Sequence, residues 1–153
     1  MRYKEYNKNK VLENCILLFW NKGFNGTSVN EIVEATGVNR FSLYHEFENK
    51  EGILYNALKL YKERYSQTKF KLLQKDAELE AVLLEFFLSF LQNEAAFQGC
   101  FYIHIGTELA DNDPEIKALI KEYLSDLESL FIDCLQKFSD TQEHASFYAR
   151  HLI

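Results

Sequence analysis

His104 and Glu108 stand four residues apart in a stretch that reads as helical, so both side chains leave one face. An imidazole and a carboxylate so placed could be two metal ligands, a proton-exchanging pair, or polar handles inside a ligand pocket. A satisfied pair in a core or an interface has the same spacing. No third ligand and no nucleophile follows at a supporting distance in sequence, so neither a metal site nor catalysis is expected, and no cofactor is called for. Cys15, Cys100 and Cys134 are odd in number and far apart, unlike a zinc site or a small disulfide scaffold, which suits a reducing cytoplasm. Apolar surroundings would keep the Cys100 thiol protonated and inert. Phe86, Phe87, Phe90, Phe97, Phe101 and Tyr102 make an aromatic zone that fits plain core or an apolar pocket. The candidates for lining such a pocket are Phe86, Phe90, Phe101, Tyr102, His104 and Glu108.

A second chemistry is carried by charge. The whole chain of 153 residues has a net charge of −6, which argues against an anionic partner until it is divided. Residues 1–71 hold twelve Lys and Arg against eight Asp and Glu, whereas residues 72–153 hold five against fifteen. A head at +4 and a remainder at −10 allow a locally positive face for phosphate. Within the head, Lys50 falls at the first position of a helix, where the dipole disfavours a cation by roughly 0.3–1 kcal/mol. A phosphate shared by the ammonium and the helix amino end would explain it.

The elements that must position these groups are helical. One proline and six glycines leave room for long helices, and 47% hydrophobic with 26% charged residues is the balance of a folded chain. An all-α fold is expected. Val11, Leu12, Cys15, Ile16, Leu18 and Phe19 recur at helical spacing over 8–22, with Gly23 as the stop. Ser28 and Glu31 fit a capping box for a short helix from Val29 to about Ala35-Thr36, burying Val29, Ile32 and Val33. Gly37 gives the turn, and Asn39 caps a third helix from Arg40 to Phe47 that buries Leu43 and Phe47 and exposes Arg40, Phe41, Tyr44 and His45. This is a helix-turn-helix preceded by a supporting helix.

Asn49 caps a fourth helix running to about Leu73, which joins the head, residues 1–48, to the body, residues 49–153. A fifth helix is expected from Asp76, largely buried through Leu79, Val82, Leu83, Phe86, Phe87, Phe90 and Leu91. A sixth spans Gly99 to Ala110. Asp113 and Pro114 open a long seventh, whose Ile116, Ile120, Tyr123, Leu127, Leu130 and Cys134 form a seam within the chain or between subunits. A last stretch from about Thr141 is still periodic at Ile153, so the chain is expected to be cut short at that end. The polar start and the lack of a long apolar run point to a soluble protein without a membrane span.

The apolar run Val11 to Phe19, then Lys22-Gly23-Phe24, Thr27-Ser28-Val29, Ile32, Gly37-Val38, Leu43-Tyr44-His45, Phe47 and Lys50-Glu51, resembles the amino-terminal head of the tetracycline-repressor family (TetR/AcrR). The match covers about a third of the chain. Gly99-Cys100-Phe101, Glu108-Leu109-Ala110 and Asp113-Pro114-Glu115 look like a sensing body common in that family. The resemblance implies a three-helix DNA-binding head on an α-helical ligand-binding and dimerisation body. It further implies a homodimeric, ligand-responsive regulator of transcription, usually a repressor, on a palindromic double-stranded operator, with an unidentified small-molecule effector. Carried over by position, Thr27, Ser28, Tyr44 and Lys50 would hold phosphates, and Asn39, Arg40, Ser42 and His45 would meet phosphates or base edges. Phe41 departs from the pattern, where a small residue is usual: its ring either presses on a thymine methyl or holds the helix off the groove. Glu46 departs too, since a carboxylate there would repel phosphate. The alternative is a helical small-molecule-binding or interaction protein that does not bind DNA.

Overall fold

Four helices in the first part of the chain each begin at a side chain that accepts a hydrogen bond from the next turn's backbone. Asn7 accepts from the Lys10 amide at the start of α1 (Lys8–Lys22), and Ser28 from the Glu31 amide at the start of α2 (Val29–Thr36). Asn39 accepts from Ser42 at α3 (Arg40–Phe47), and Asn49 from Gly52 at α4 (Lys50–Tyr61). Each cap satisfies an amide that the helix itself leaves without a partner. The computed structural model describes residues 6–91 and 99–153, and among these the regular structure is helical.

α1 is the central post of the head. It buries Val11, Leu12, Cys15, Ile16 and Phe19 and packs against α2 and α4. Gly23, at φ 75°, ends it by donating its amide to the Phe19 carbonyl, and Gly37, at φ 67°, ends α2 in the left-handed region that a side chain disfavours. α2 buries Ile32 fully, while Val29 and Val33 are only half-buried, because two faces of this short helix meet solvent. α3 buries Leu43 and Phe47.

α4 buries Ile53, Leu54, Ala57, Leu58, Leu60 and Tyr61 and then changes pitch. A π turn over Lys62–Ser66, an α turn over Gln67–Phe70 and a 3-10 turn over Lys71–Gln74 carry the chain on without a break. The wider turn brings Tyr61 and Ser66, five residues apart, to the same buried side, where the Ser66 hydroxyl donates to the Tyr123 hydroxyl at 3.3 Å.

The structure corrects the expectation for the fifth helix. α5 runs Leu79–Leu88, begins after Glu78 without a side-chain cap, and buries only Val82 and Phe86. Leu84 is 56% exposed, Phe87 is 42% exposed, and Leu88 and Leu91 are exposed too. Its main neighbour is the 3-10 turn at the end of the α4 course, so one flank is covered and the other is open.

α6 (Phe101–Leu109) packs on α1, α4 and the long α7 (Pro114–Leu135). Asp113 caps α7 by accepting from the Glu115 and Ile116 amides, with Pro114 in the first turn. The α7 seam is consumed within the chain: Ile116, Ile120, Tyr123, Leu127 and Cys134 are buried and Leu130 half-buried, beneath α6, the 3-10 turn and α8 (Ala145–Leu152). A single turn over Ser139–Gln142 precedes α8, which therefore starts later than Thr141. One core runs from Val11 to Ala149. Head and body share it through aromatic contacts: Trp20 meets Tyr61 at 5.4 Å, Tyr61 meets Phe101 at 5.4 Å, and Tyr102 stacks on Tyr123 at 4.1 Å between centroids.

Candidate nucleic-acid interface

The outward side of α3 is built from an alternation of tied and open side chains. Arg40 lies over the Tyr44 ring, 5.2 Å from its centroid, and its guanidinium donates to the Tyr44 hydroxyl at 3.5 Å. Tyr44 is thereby half-buried, not exposed as the helical pattern suggests. On the other flank Glu46 pairs with Lys8 of α1 at 2.8 Å, so the carboxylate expected to repel phosphate carries its own counter-charge. Tyr6, just before α1, donates its hydroxyl to the Ser42 carbonyl at 3.3 Å. Between the flanks Phe41 stands 68% exposed, with its ring 6.3 Å from the His45 ring and 28° from parallel. Asn39 is exposed and Ser42 half-buried.

Lys50 takes its predicted place at the start of α4, and its ammonium rests 4.2 Å from the centroid of Phe24. Partial burial pushes its pKa down, against the upward pull of Glu51, Glu108 and Glu31. Between α3 and α4 lies Glu48, the one non-glycine residue with positive φ among the described residues. Its φ of 71° and ψ of −56°, with the Asn49 amide donating to the Phe47 carbonyl at 2.9 Å, form a strained three-residue turn.

At the start of α2 the two candidates divide. Ser28 is exposed, and its hydroxyl and amide both bond the Glu31 carboxylate, which also pairs with Lys22. The Lys22 contact and these bonds pull the Glu31 carboxyl down to about 2. Thr27 is 1% exposed and donates its hydroxyl to the Gly23 carbonyl at 2.8 Å. Its side chain braces the loop after α1 and offers no face to a phosphate, which corrects the sequence expectation for this residue.

The pocket candidates also separate. A cavity of about 400 Å³ opens beside α5, lined by Phe86, Phe90, Cys100, Ile103 and Tyr123 among others. Its polar groups are few. The Cys100 thiol donates to the Tyr123 hydroxyl at 3.4 Å, and burial raises the pKa of that hydroxyl. The Lys69 ammonium lies 3.8 Å from the Phe90 centroid. Phe101 and Tyr102 are core residues behind this wall, Tyr102 donating to the Leu58 carbonyl at 3.1 Å. Phe97 lies outside the described residues.

His104 is half-buried on α6 and does not line the cavity. Glu108 serves the head instead: its carboxylate accepts the Phe24 amide at 2.8 Å and the Asn25 amide at 2.7 Å. Among the described residues no group of three or more His, Cys, Asp and Glu could hold a metal ion, and no helix is long and apolar enough to cross a membrane. Lys8, Tyr6 and Phe24 carry parts of this surface that the sequence reading missed.

Comparison with known proteins agrees with this arrangement. Residues 12–57 match the family model of bacterial regulatory proteins, tetR family. The HTH-type transcriptional repressor ComR of Escherichia coli is 30% identical over 124 residues, which cover 78% of this chain and 59% of that repressor. The chain thus spans about six tenths of that relative's length. The HTH-type transcriptional regulator YezE of Bacillus subtilis is 25% identical over 145 residues, 93% of this chain and 75% of that protein. Among solved structures, the TetR family regulator CifR, determined with a 26-base-pair operator, superposes with a TM-score of 0.79 at 20% identity, over 99% of this chain and 85% of that one. A TetR-type regulator from Streptomyces avermitilis gives 0.76 at 25% identity, over 95% of this chain and 79% of that one. Residues 12–57 thus match the head of the tetR family of bacterial regulatory proteins, and the chain as a whole shares the fold of solved regulators of that family.

Proposed function

We propose that this protein is a ligand-responsive DNA-binding regulator of transcription, a repressor, that acts in the cytoplasm as a homodimer on a palindromic operator. Residues 1–48 form the DNA-binding domain and residues 49–153 the sensing and dimerising body. The observation that carries this reading is the outward side of α3, where Arg40, Phe41 and His45 are exposed and Tyr44 is half-buried beneath Arg40, with Arg40 on one flank and Lys8 on the other. A helix so presented fits a major groove, and its bordering cations fit phosphate. Arg40, Ser42, Tyr44, Ser28 and Lys50 position the head on the backbone, while Asn39 and His45 lie toward base edges. No catalysis is assigned to it.

The effector site is the cavity beside α5, whose walls favour an apolar molecule. α6 connects it to the head. Cys100, which precedes α6, and Ile103, in its first turn, touch the cavity, and Glu108 in its last turn holds the loop that carries Phe24 and, through it, Lys50. A ligand that prefers a shifted α6 therefore lowers DNA affinity by its differential binding energy. Two heads must also stand one duplex turn, roughly 34 Å, apart to bind together, so a small change in the body is read by both.

Gel shifts with duplexes from the gene's own promoter region, at several salt concentrations, test the reading. A sequence-specific, salt-dependent shift is expected, and an intact dimer with no specific shift overturns it. Lys50→Ala is expected to weaken binding to all sequences alike and to reduce the salt slope by about one. Altered sequence preference at an unchanged slope would remove Lys50 from the phosphate contacts.

A further inference from the structure

α3 has three longitudinal strips, and their order around the helix is informative. Side chains step by about 100° per residue. The buried pair Leu43 and Phe47 mark the inner pole, which places Phe41 and His45 at the outer pole and Arg40 with Tyr44 on one flank, Ser42 with Glu46 on the other. Both flanks are occupied by contacts already made. Arg40 is held on Tyr44, Lys8 on Glu46, and Tyr6 on the Ser42 carbonyl. A helix lying in a major groove turns its flanks to the two phosphate walls and its outer pole to the floor of base edges.

The floor-facing strip therefore starts with an aromatic hydrocarbon. Phe41 can neither donate nor accept a hydrogen bond, it is 68% exposed, and it contributes nothing to the core. The His45 ring, 6.3 Å away and 28° from parallel, lies beside it on the same outward strip. In the major groove the apolar feature that a ring can meet is the C5 methyl of thymine.

We propose that Phe41 is a specificity-determining residue that selects a thymine at a fixed position of each half-site by packing its ring on the C5 methyl. This rests on the DNA-binding reading given above. The methyl loses its water against the ring, and every other base at that position presents a polar or unmethylated edge to an uncharged surface. His45, one turn on, reads the neighbouring pair.

The test uses the full chain. Duplexes are first enriched from a random library by the wild-type protein, and each thymine of the enriched site is then replaced by deoxyuridine, which removes the methyl alone. One thymine per half-site should respond, with affinity falling about four-fold for one half-site, the worth of a buried methyl group. Loss of both methyls should cost about fifteen-fold, since the two contacts are far apart and additive. Phe41→Ala should show no response to the same replacement, and Phe41→Leu should retain most of it. Uniform indifference of the wild type to deoxyuridine overturns the proposal, as does an undiminished methyl effect in Phe41→Ala, or tighter binding by that variant, which would make the ring a spacer. Failure to enrich any sequence would instead remove the DNA-binding reading itself.

Discussion

The head and the α5 flank are built on opposite terms. In the head and the helix that leaves it, four helices are capped by Asn7, Ser28, Asn39 and Asn49, and the inward apolar side chains of α1 and α4, among them Cys15, Phe19, Ile53 and Leu58, are buried completely. Along α5 no side chain caps the start, the helix is apolar nearly all round, and Leu84, Phe87, Leu88 and Leu91 face outward. Under the function proposed above, a surface that meets a rigid duplex needs fixed geometry, whereas a wall that closes around a small molecule needs room to repack. The difference separates what is specified residue by residue from what is specified only in bulk.

That contrast can be broken by truncating a phenylalanine on each side. Phe47→Ala, at 2% exposure, should cost about 3–5 kcal/mol in urea denaturation. Phe87→Ala, at 42% exposure beside the cavity, should cost well under half as much. Equal losses would mean that the α5 wall is as tightly specified as the head. Between the two regions stands Glu108. Glu108→Ala leaves the Phe24 and Asn25 amides without their acceptor and should destabilise the head by about 1.5–3 kcal/mol, the range for hydrogen bonds to a charged group, as read by hydrogen exchange at those amides. Unchanged exchange there would detach α6 from the head.

Smaller effects sharpen the picture. Asn39→Ala removes the α3 cap and should cost about 1 kcal/mol of stability. It should do so at every pH from 5 to 8. Glu31 behaves differently, because its carboxyl is held at about 2 in the folded chain against an ordinary value of 4.5. A depressed folded value means that its contribution is present above the unfolded value and is lost as the pH falls toward 2. The stability difference between wild type and Glu31→Gln should therefore be constant above about pH 4.5 and close below it. A difference that persists at pH 2 would assign the effect to the Gln side chain and not to the charge.

Helix starts were legible in the sequence wherever one short polar residue stood before an apolar period, as at Ser28, Asn39, Asn49 and Asp113. The α5 start was not, because Asp76 and Glu78 offer equal signals and tertiary packing, not a cap, decides. Side-chain partners distant in sequence were equally hidden. Nothing near Glu108 announces Phe24, 84 residues away, and nothing near Glu46 announces Lys8. Periodicity also placed Phe101 and Tyr102 with Phe86 and Phe90, but a helix face cannot tell the lining of a cavity from the layer behind it. Thr27 turned inward because the loop after Gly23 needs its hydroxyl to close.

The elbow at Glu48 sets stability against shape. Its backbone costs about 1–3 kcal/mol for a residue that bears a side chain. Glycine would relieve that tension, while valine or isoleucine would heighten it. Relief, however, would slacken the joint that sets the tilt of α3 against α4, so a glycine here exchanges a fixed angle between two helices for a firmer fold.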